Sequence, residues 1–473
     1  MNPKIATPKI NLTTKNVDNL QTELATYSDL YQQAWQRREQ RENSETYLQG
    51  LMLNVPNKSV ETMMLHLKGD DPRAIRNMQH FLSKGSWQDQ EILDIHLQEV
   101  AKYLGDENGV LIVDDSGFPK QGKDSVGVKR QWCGQLGKKA NCQVGVFLAY
   151  ASRHGATLLD RRLYLPKEWV YNPGYAQRRQ KCGVPADITF KTKPTLASDM
   201  VIEQQRQALL PFRWLTCDEA FGRDPAFLDR VGQYLYYFAE VEPRTRVWQT
   251  RPETERPAWS GQGRPPSRPH LAPQEPSPTK VEQVVAALPN TAWSRHIVKE
   301  GSKGPLVADF AALRVVAVRD TLPGPDVWLV IRQDASSGER KYFLSNAPAD
   351  TPLATFVWLS GMRWPIETCF EDGKQEIGLG DYQVRSWLGW HHHMTLCILA
   401  HFFLVRLQLR LQDEAPNLTL PQAILLLKVA LGQPQVDAAK AIDIVNYYQR
   451  RHHEAYLSHR KRRLDRIETK VSL

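Results

Sequence analysis

Several acidic residues in this chain stand where an ionised carboxylate is costly without a counter-charge. Asp114 and Asp115 close the apolar run GVLIVDDSG, Asp218 closes FRWLTCDEAFG, and Glu367 lies within RWPIETCFEDGK. Acids at the ends of apolar strands call for a partner cation. Hydrolysis or transfer at a phosphodiester needs divalent metal ions that activate the attacking oxygen and stabilise the leaving one, and hard ions choose carboxylate oxygens. Asp114 or Asp115, Asp218 and Glu367, delivered from three separate elements, would form such a cradle. Around the last acid, Arg363, Glu367, Glu371 and Lys374 recur at offsets of four and seven, which gathers them on one narrow helix face. That face is either a solvated salt-bridge ladder or the third side of a catalytic site with Arg363 and Lys374 on phosphate.

The elements that would position these groups can be read from periodicity. Residues 18–104 are rich in helix formers, and NKSVETMMLHLKGDDPRAIRNMQHFLSKG divides at the turn GDDP into two short helices, an arrangement open to a helix-turn-helix reader of DNA or to a helical cap. From Gly109 the texture changes to apolar and alternating runs: GVLIVDDSG, NCQVGVFLAYAS and ATLLDRRLYLP as strands, LASDMVIEQQRQALL as a helix, then the strands FRWLTCDEAFG and YYFAEV. Three strands, a helix, a strand, a helix and a strand is the order of a ribonuclease-H-like core, and the fold class expected is α/β. Between Pro252 and Pro278 eight prolines interrupt a polar stretch, which is expected to hold no packed element. The runs LVADFAALRVVAVRD, DVWLVIRQD and KYFLSNAP, with hairpin turns such as SSGE, read as a β-rich insertion. The boundaries expected are a helical DNA-binding region at 1–105, the first part of the core at 106–243, the β-rich insertion with its Pro-rich loop at 244–350, the helix with the last acid at 351–411 and a basic helical region at 412–473.

Composition narrows the class. The chain has 473 residues, 41% of them apolar and 24% charged, as in a water-soluble globular protein of several domains. An excess of 61 Lys and Arg over 52 Asp and Glu favours a polyanionic partner. The terminal segment from Arg450 to Arg466 concentrates that charge and reads as a helix that binds DNA backbone. Met394–Val405 is apolar but too short for a bilayer and reads as a buried helix, so no membrane association is expected. Six scattered cysteines without a CxxC suggest neither zinc nor a disulfide framework, and the setting expected is cytoplasmic. The three histidines His391–His393 point in three directions around a helix and so cannot easily share one ion; they read as a polar helix start near DNA. Trp387 and Trp390 read as core, while Trp248 and Trp259 stay open as base-stacking groups.

Three stretches together carry a resemblance: VLIVDDSGFPKQGKDSVGVKRQWCGQLGKKANCQVGVFLAY, TCDEAFG and RWPIETCFEDGKQEIGLGDYQVRSW. They resemble the DDE-type transposases of bacterial insertion sequences, in the branch with a Tyr-Arg-Glu-Lys signature around its last acid. Arg363, Glu367 and Lys374 fit the spacing Y-x2-R-x3-E-x6-K, but Ser360 stands at the tyrosine position. The resemblance implies a ribonuclease-H-like core with a β-rich insertion between its second Asp and its Glu, and cleavage and joining of DNA at transposon ends. It implies Asp114, Asp218 and Glu367 as catalytic ligands of two Mg²⁺ or Mn²⁺ ions; adjacent strand residues face opposite ways, so only one of Asp114 and Asp115 should bind metal, and the family motif Asp-Ser-Thr-Gly-Leu matches DDSGF best with Asp114 as that ligand. Arg363, Lys374, Lys120, Lys123 and Arg385 are the expected phosphate contacts. The partners expected are double-stranded DNA, as terminal repeats and as target, and a second copy of the chain, with the dimer at the bacterial nucleoid when on DNA.

Overall fold

The computed structural model describes residues 11–256, 268–301, 304–416 and 418–431, and beyond them residues 442, 445, 447, 449, 450, 457 and 458. The fold is mixed α/β, with a twelve-stranded mixed sheet. It divides into two compact units, one of residues 93–371 and one that joins residues 1–92 to residues 372–473.

In the first unit the apolar runs become strands in chain order. These are β1 (Val110–Pro119), β2 (Lys129–Cys133), β3 (Lys138–Ser152), β4 (Gly155–Leu163), β5 (Trp214–Cys217) and β6 (Tyr236–Val241). β1 pairs antiparallel with β3, and β3 with β4. β5 lies parallel to β1, and β6 parallel to β5. Parallel neighbours require crossovers, and the Lys193–Gln207 and Pro225–Val231 helices lie in those connections. The central order is thus β4-β3-β1-β5-β6. Val110 to Val113 are fully buried, as expected for a strand covered on both faces.

Past the middle of the chain the sheet continues rather than stopping. β7 (Arg246–Trp248), β8 (Thr254–Glu255), β9 (His270–Leu271), β10 (Thr279–Lys280), β11 (Ser294–Gly301), β12 (Gly304–Arg319), β13 (Leu322–Asp334) and β14 (Arg340–Ser345) follow. β14 pairs antiparallel with β6, and β13, β12 and β7 extend outward from it, so the β-rich stretch hydrogen-bonds directly onto the core strands. The β13–β14 turn is closed by the Asp334 carboxylate, which accepts from the backbone N–H of Ser336 at 3.0 Å and of Ser337 at 2.7 Å. Gly338 supplies the φ of +73° that turn needs. The described ends of the Pro-rich stretch, residues 252–256 and 268–278, hold paired elements that their composition does not suggest. β8 and β9 pair across it, and the Trp248 indole donates to the Pro276 carbonyl at 2.9 Å. Two-residue strands tolerate flanking prolines because few ladder bonds are lost. Trp259 lies outside the described residues.

The second unit is helical. The expected pair of short helices is present as Val60–Lys68 and Pro72–Lys84, capped by Ser59 and Asp71 and joined through Gly69 at φ +71°. The helix Trp387–Arg410 runs through the core of this unit and is buried over most of its length. The histidine triplet is corrected here. His391, His392 and His393 are all buried rather than presented as a polar helix start. His392 stacks on Trp87 at 3.5 Å, with Nδ1 2.8 Å from the Leu82 carbonyl and Nε2 3.2 Å from that of Trp87. His393 Nδ1 lies 2.8 Å from the Tyr47 hydroxyl. Each ring is matched to core polar groups that would otherwise be stranded. Trp390 is buried, as expected. Of the charged residues of the terminal basic run only Arg450 is described, and it pairs with Asp70; Arg451, His452, His453, Arg460, Lys461, Arg462, Arg463 and Arg466 lie outside the described residues. All six cysteines are free thiols. Among the described residues no helix is long and apolar enough to cross a membrane.

Candidate active site

Strand register builds the site. Val113 pairs with Cys217 and Cys217 with Ala239 across the parallel strands β1, β5 and β6. The next residue on each is an acid: Asp114, Asp218 and Glu240. Adjacent strands lie about 4.8 Å apart, so the three stand in a row at one edge of the fold's centre.

The two neighbouring aspartates part company, as side chains on a strand must. Asp114 Oδ2 lies 3.9 Å from Arg363 Nη1. Asp115 Oδ2 is paired at 2.9 Å with Lys193, on the Lys193–Gln207 helix. The helix Trp364–Glu376 brings Glu367 in. Its apolar stripe anchors it, with Ile366 buried and the Phe370 ring 5.2 Å from that of Phe147 on β3. Arg363, just before that helix, ion-pairs with Glu367 one turn on and reaches Glu240 Oε2 at 3.5 Å. One guanidinium therefore touches carboxylates from β1, β6 and the late helix. Burial opposes its charge, but Glu367, Glu240, Asp114 and Asp218 outweigh that and raise its pKa.

The aspartates are less well compensated. Burial, followed by the charges of Asp218 and Asp115, pushes the Asp114 carboxyl well above its ordinary range. Burial, then Asp115 and Glu219, pushes Asp218 up to about 6. Asp218 stays partly ionisable because its Oδ1 accepts from the N–H groups of Ala220 at 3.0 Å and Phe221 at 3.3 Å. A carboxyl raised from 3.8 to about 6 by folding binds more protons folded than unfolded across that window, so stability falls as pH rises through it. Asp218→Asn keeps the cap and removes the charge. In the absence of divalent metal it is expected to gain about 1–3 kcal/mol at pH 7 and nothing near pH 3. Thermal unfolding at the two pH values measures this.

Among the described residues, no three of His, Cys, Asp and Glu are gathered closely enough to grip an ion as they stand. Arg363 occupies the gap between Glu367 and Asp114. The remaining expected site residues are more dispersed. Lys120 follows β1 six residues after Asp114, roughly 20 Å along an extended chain, and Lys123 lies beyond it, exposed. Lys374 sits two turns past Glu367 on the same helix, and Arg385 is exposed in the helical unit. Ser360 turns its hydroxyl to the Val357 carbonyl at 2.7 Å, and its own carbonyl accepts from Arg332 at 3.2 Å. Glu240, with Lys341 Nζ 3.0 Å from its Oε1, was not singled out from sequence, although YYFAEV also meets its acid at the end of an apolar run.

Comparison with known proteins supplies the family. Residues 29–305 match the DDE superfamily endonuclease family. The chain belongs to that family. The matched span holds Asp114, Asp218 and Glu240 and ends before Glu367. A protein of Microchaete diplosiphon described as a probable transposase for insertion sequence element IS701 is 26% identical over 189 residues, covering 37% of this chain and 46% of that one. The chain thus spans about half the length of the curated relative it matches. The piggyBac transposase, solved by cryo-EM as a synaptic complex with hairpin DNA, aligns with 92% of this chain and 81% of its own at 11% identity and a TM-score of 0.37.

Proposed function

We propose that this chain is a DNA transposase that cleaves the ends of an insertion sequence and joins them to target DNA by phosphodiester hydrolysis and transesterification. The observation that carries the reading is the register that sets Asp114 beside Asp218, with Glu367 tied to the same place through Arg363. Membership of the endonuclease family supports strand cleavage, and likeness to the IS701 protein supports insertion-sequence ends as substrate. The order β4-β3-β1-β5-β6, with two parallel pairs, supports a ribonuclease-H-like core. The regional assignment belongs to the same proposal: DNA-binding helices before residue 106, a core interrupted at 244–350, and a basic C-terminal region.

The donor set fits divalent metal. Asp114, Asp218 and Glu367 are hard oxygen donors, and the first two are raised by burial and by the charge of neighbouring carboxylates, both of which a bound cation would offset. The fit is one of donor chemistry rather than of a preformed cage, because Arg363 already supplies positive charge among these acids. Asp114, Asp218 and Glu367 would hold two Mg²⁺ or Mn²⁺ ions, which when bound supply an activated oxygen nucleophile and stabilise the leaving oxygen. Arg363 orients the scissile phosphate, with Lys374 beside it on the same helix. Asp115 keeps to Lys193 and fixes the strand. Double-stranded DNA is the partner, and a homodimer would hold paired ends, at the nucleoid of a bacterial cytoplasm.

Cleavage of DNA bearing the element's terminal repeat tests the assignment of the first acid. Asp114→Asn is expected to slow cleavage on the order of 10²–10³-fold. Asp115→Asn should cost no more than roughly 10–100-fold, through lost positioning. The reverse order would move the ligand to Asp115.

A further inference from the structure

Beside the row of acids, β6, β11, β13 and β14 enclose a cavity of about 480 Å³ with the end of the Leu353–Leu359 helix. That volume suits a nucleotide-sized group. Four cations line it, Lys299, Arg332, Lys341 and Arg363, against one carboxylate among the described lining residues, Glu240. Glu240 is already shared, at 3.0 Å from Lys341 and 3.5 Å from Arg363. Arg332 donates to the Ser360 carbonyl, a neutral partner. Lys299 stands 6.0 Å from the ring centre of Trp364, which is 55% exposed at the rim. Burial, and then the charge of Arg332, lowers the pKa of Lys299. Burial also lowers that of Arg332, despite Asp334, Glu240 and Glu339. A cation whose charge is disfavoured by a neighbouring cation is stabilised by an anion placed between the two.

Ser360 bears on the same cavity. It lies in the cavity wall with its hydroxyl committed to the Val357 carbonyl, so its side chain offers no donor there. The donors on that side are the guanidinium and ammonium groups carried by β11 and β13.

We infer that this cavity is a phosphate-binding site, occupied by a backbone phosphodiester of the DNA strand, with Lys299 and Arg332 as its contacts. The inference rests on the reading of the chain as a DNA transposase and adds to it a second anion site, built from the β-rich insertion and separate from the phosphate at the acids. Lys341 and Arg363, held by Glu240, border both sites.

Binding without catalysis tests it. Labelled terminal-repeat duplex is titrated with the full chain in chelator over a range of salt concentrations, by fluorescence anisotropy. Each backbone contact contributes about 0.9 to the slope of log affinity against log salt. Lys299→Gln is expected to reduce the slope by about one and Lys299→Gln/Arg332→Gln by about two, whereas Lys299→Arg/Arg332→Lys keeps it. Lys299 is exposed, so its single variant reports even where Arg332→Gln does not fold. Inorganic phosphate, titrated calorimetrically, should bind the wild type and not the double variant. An unchanged slope in Lys299→Gln, with wild-type DNA binding intact and phosphate binding the same in wild type and double variant, overturns the site alone. Phosphate binding lost in the double variant without any change in slope makes the cavity a free-anion site and overturns the strand assignment. Wild-type protein that does not bind DNA overturns the transposase reading along with it.

Discussion

Glu367→Gln is expected to lower metal-dependent cleavage of terminal-repeat DNA by about two to three orders of magnitude, with DNA affinity in chelator changed by no more than a few-fold. Glutamine preserves the length and planarity of the side chain, and its amide oxygen can still accept from Arg363. What it lacks is the negative charge that a hard divalent ion selects. The Glu367 side chain is one-third exposed and ion-paired one helical turn from Arg363, a geometry worth little to folding. The fold should therefore survive and the chemistry should not. Single-turnover cleavage, compared with anisotropy on the same DNA, separates the two. Wild-type rates in the variant would remove Glu367 from the site.

Arg363→Gln is expected to act on stability as well as activity. The guanidinium stands against Asp114, Glu240 and Glu367 and is only 20% exposed, so its loss leaves carboxylates facing one another in a poorly solvated place. Breaking such a cluster by deleting one sign of charge costs about 3 kcal/mol or more. The distinctive consequence concerns metal. If these acids are the ligands, divalent ions should replace the missing positive charge, and Mg²⁺ should raise the melting temperature of Arg363→Gln more than that of the wild type. Thermal unfolding of both proteins with and without Mg²⁺ measures this. An equal response would mean that the acids around Arg363 do not take up the ion.

How much of this was legible in the sequence depends on how local each signal is. Asp114 and Asp218 stood out because an apolar run that stops on an acid is visible in a few residues. Glu367 stood out because of the spacing of Arg363 and Lys374 about it. Glu240 did not, although it ends the same kind of run, because its place in the row depends on β6 pairing in parallel with β5. No short window contains that register. The opposite facings of Asp114 and Asp115 followed from strand geometry, whereas the partner that occupies Asp115 is Lys193, 78 positions away. His391 to His393 show the converse failure. Three polar residues in succession suggest a wet surface, and only the packing of Leu82, Trp87 and Tyr47 around them reveals a satisfied core. The β-rich segment was recognised from alternation, but its attachment to β6 through β14 was not, since strand order within a sheet is set by tertiary pairing. Ser360, where the resemblance leads one to expect tyrosine, acquires a context only when Arg332 and the cavity beside it are seen.

The most direct test of the central claim is strand cleavage by the wild-type chain on DNA bearing its element's terminal repeat, run in parallel with Mg²⁺ and with chelator. Cleavage is expected at the repeat only with the metal, leaving a free 3′-hydroxyl that can be extended by a polymerase. Cleavage of equal extent in chelator, or none in either condition from protein that binds the repeat, would contradict it.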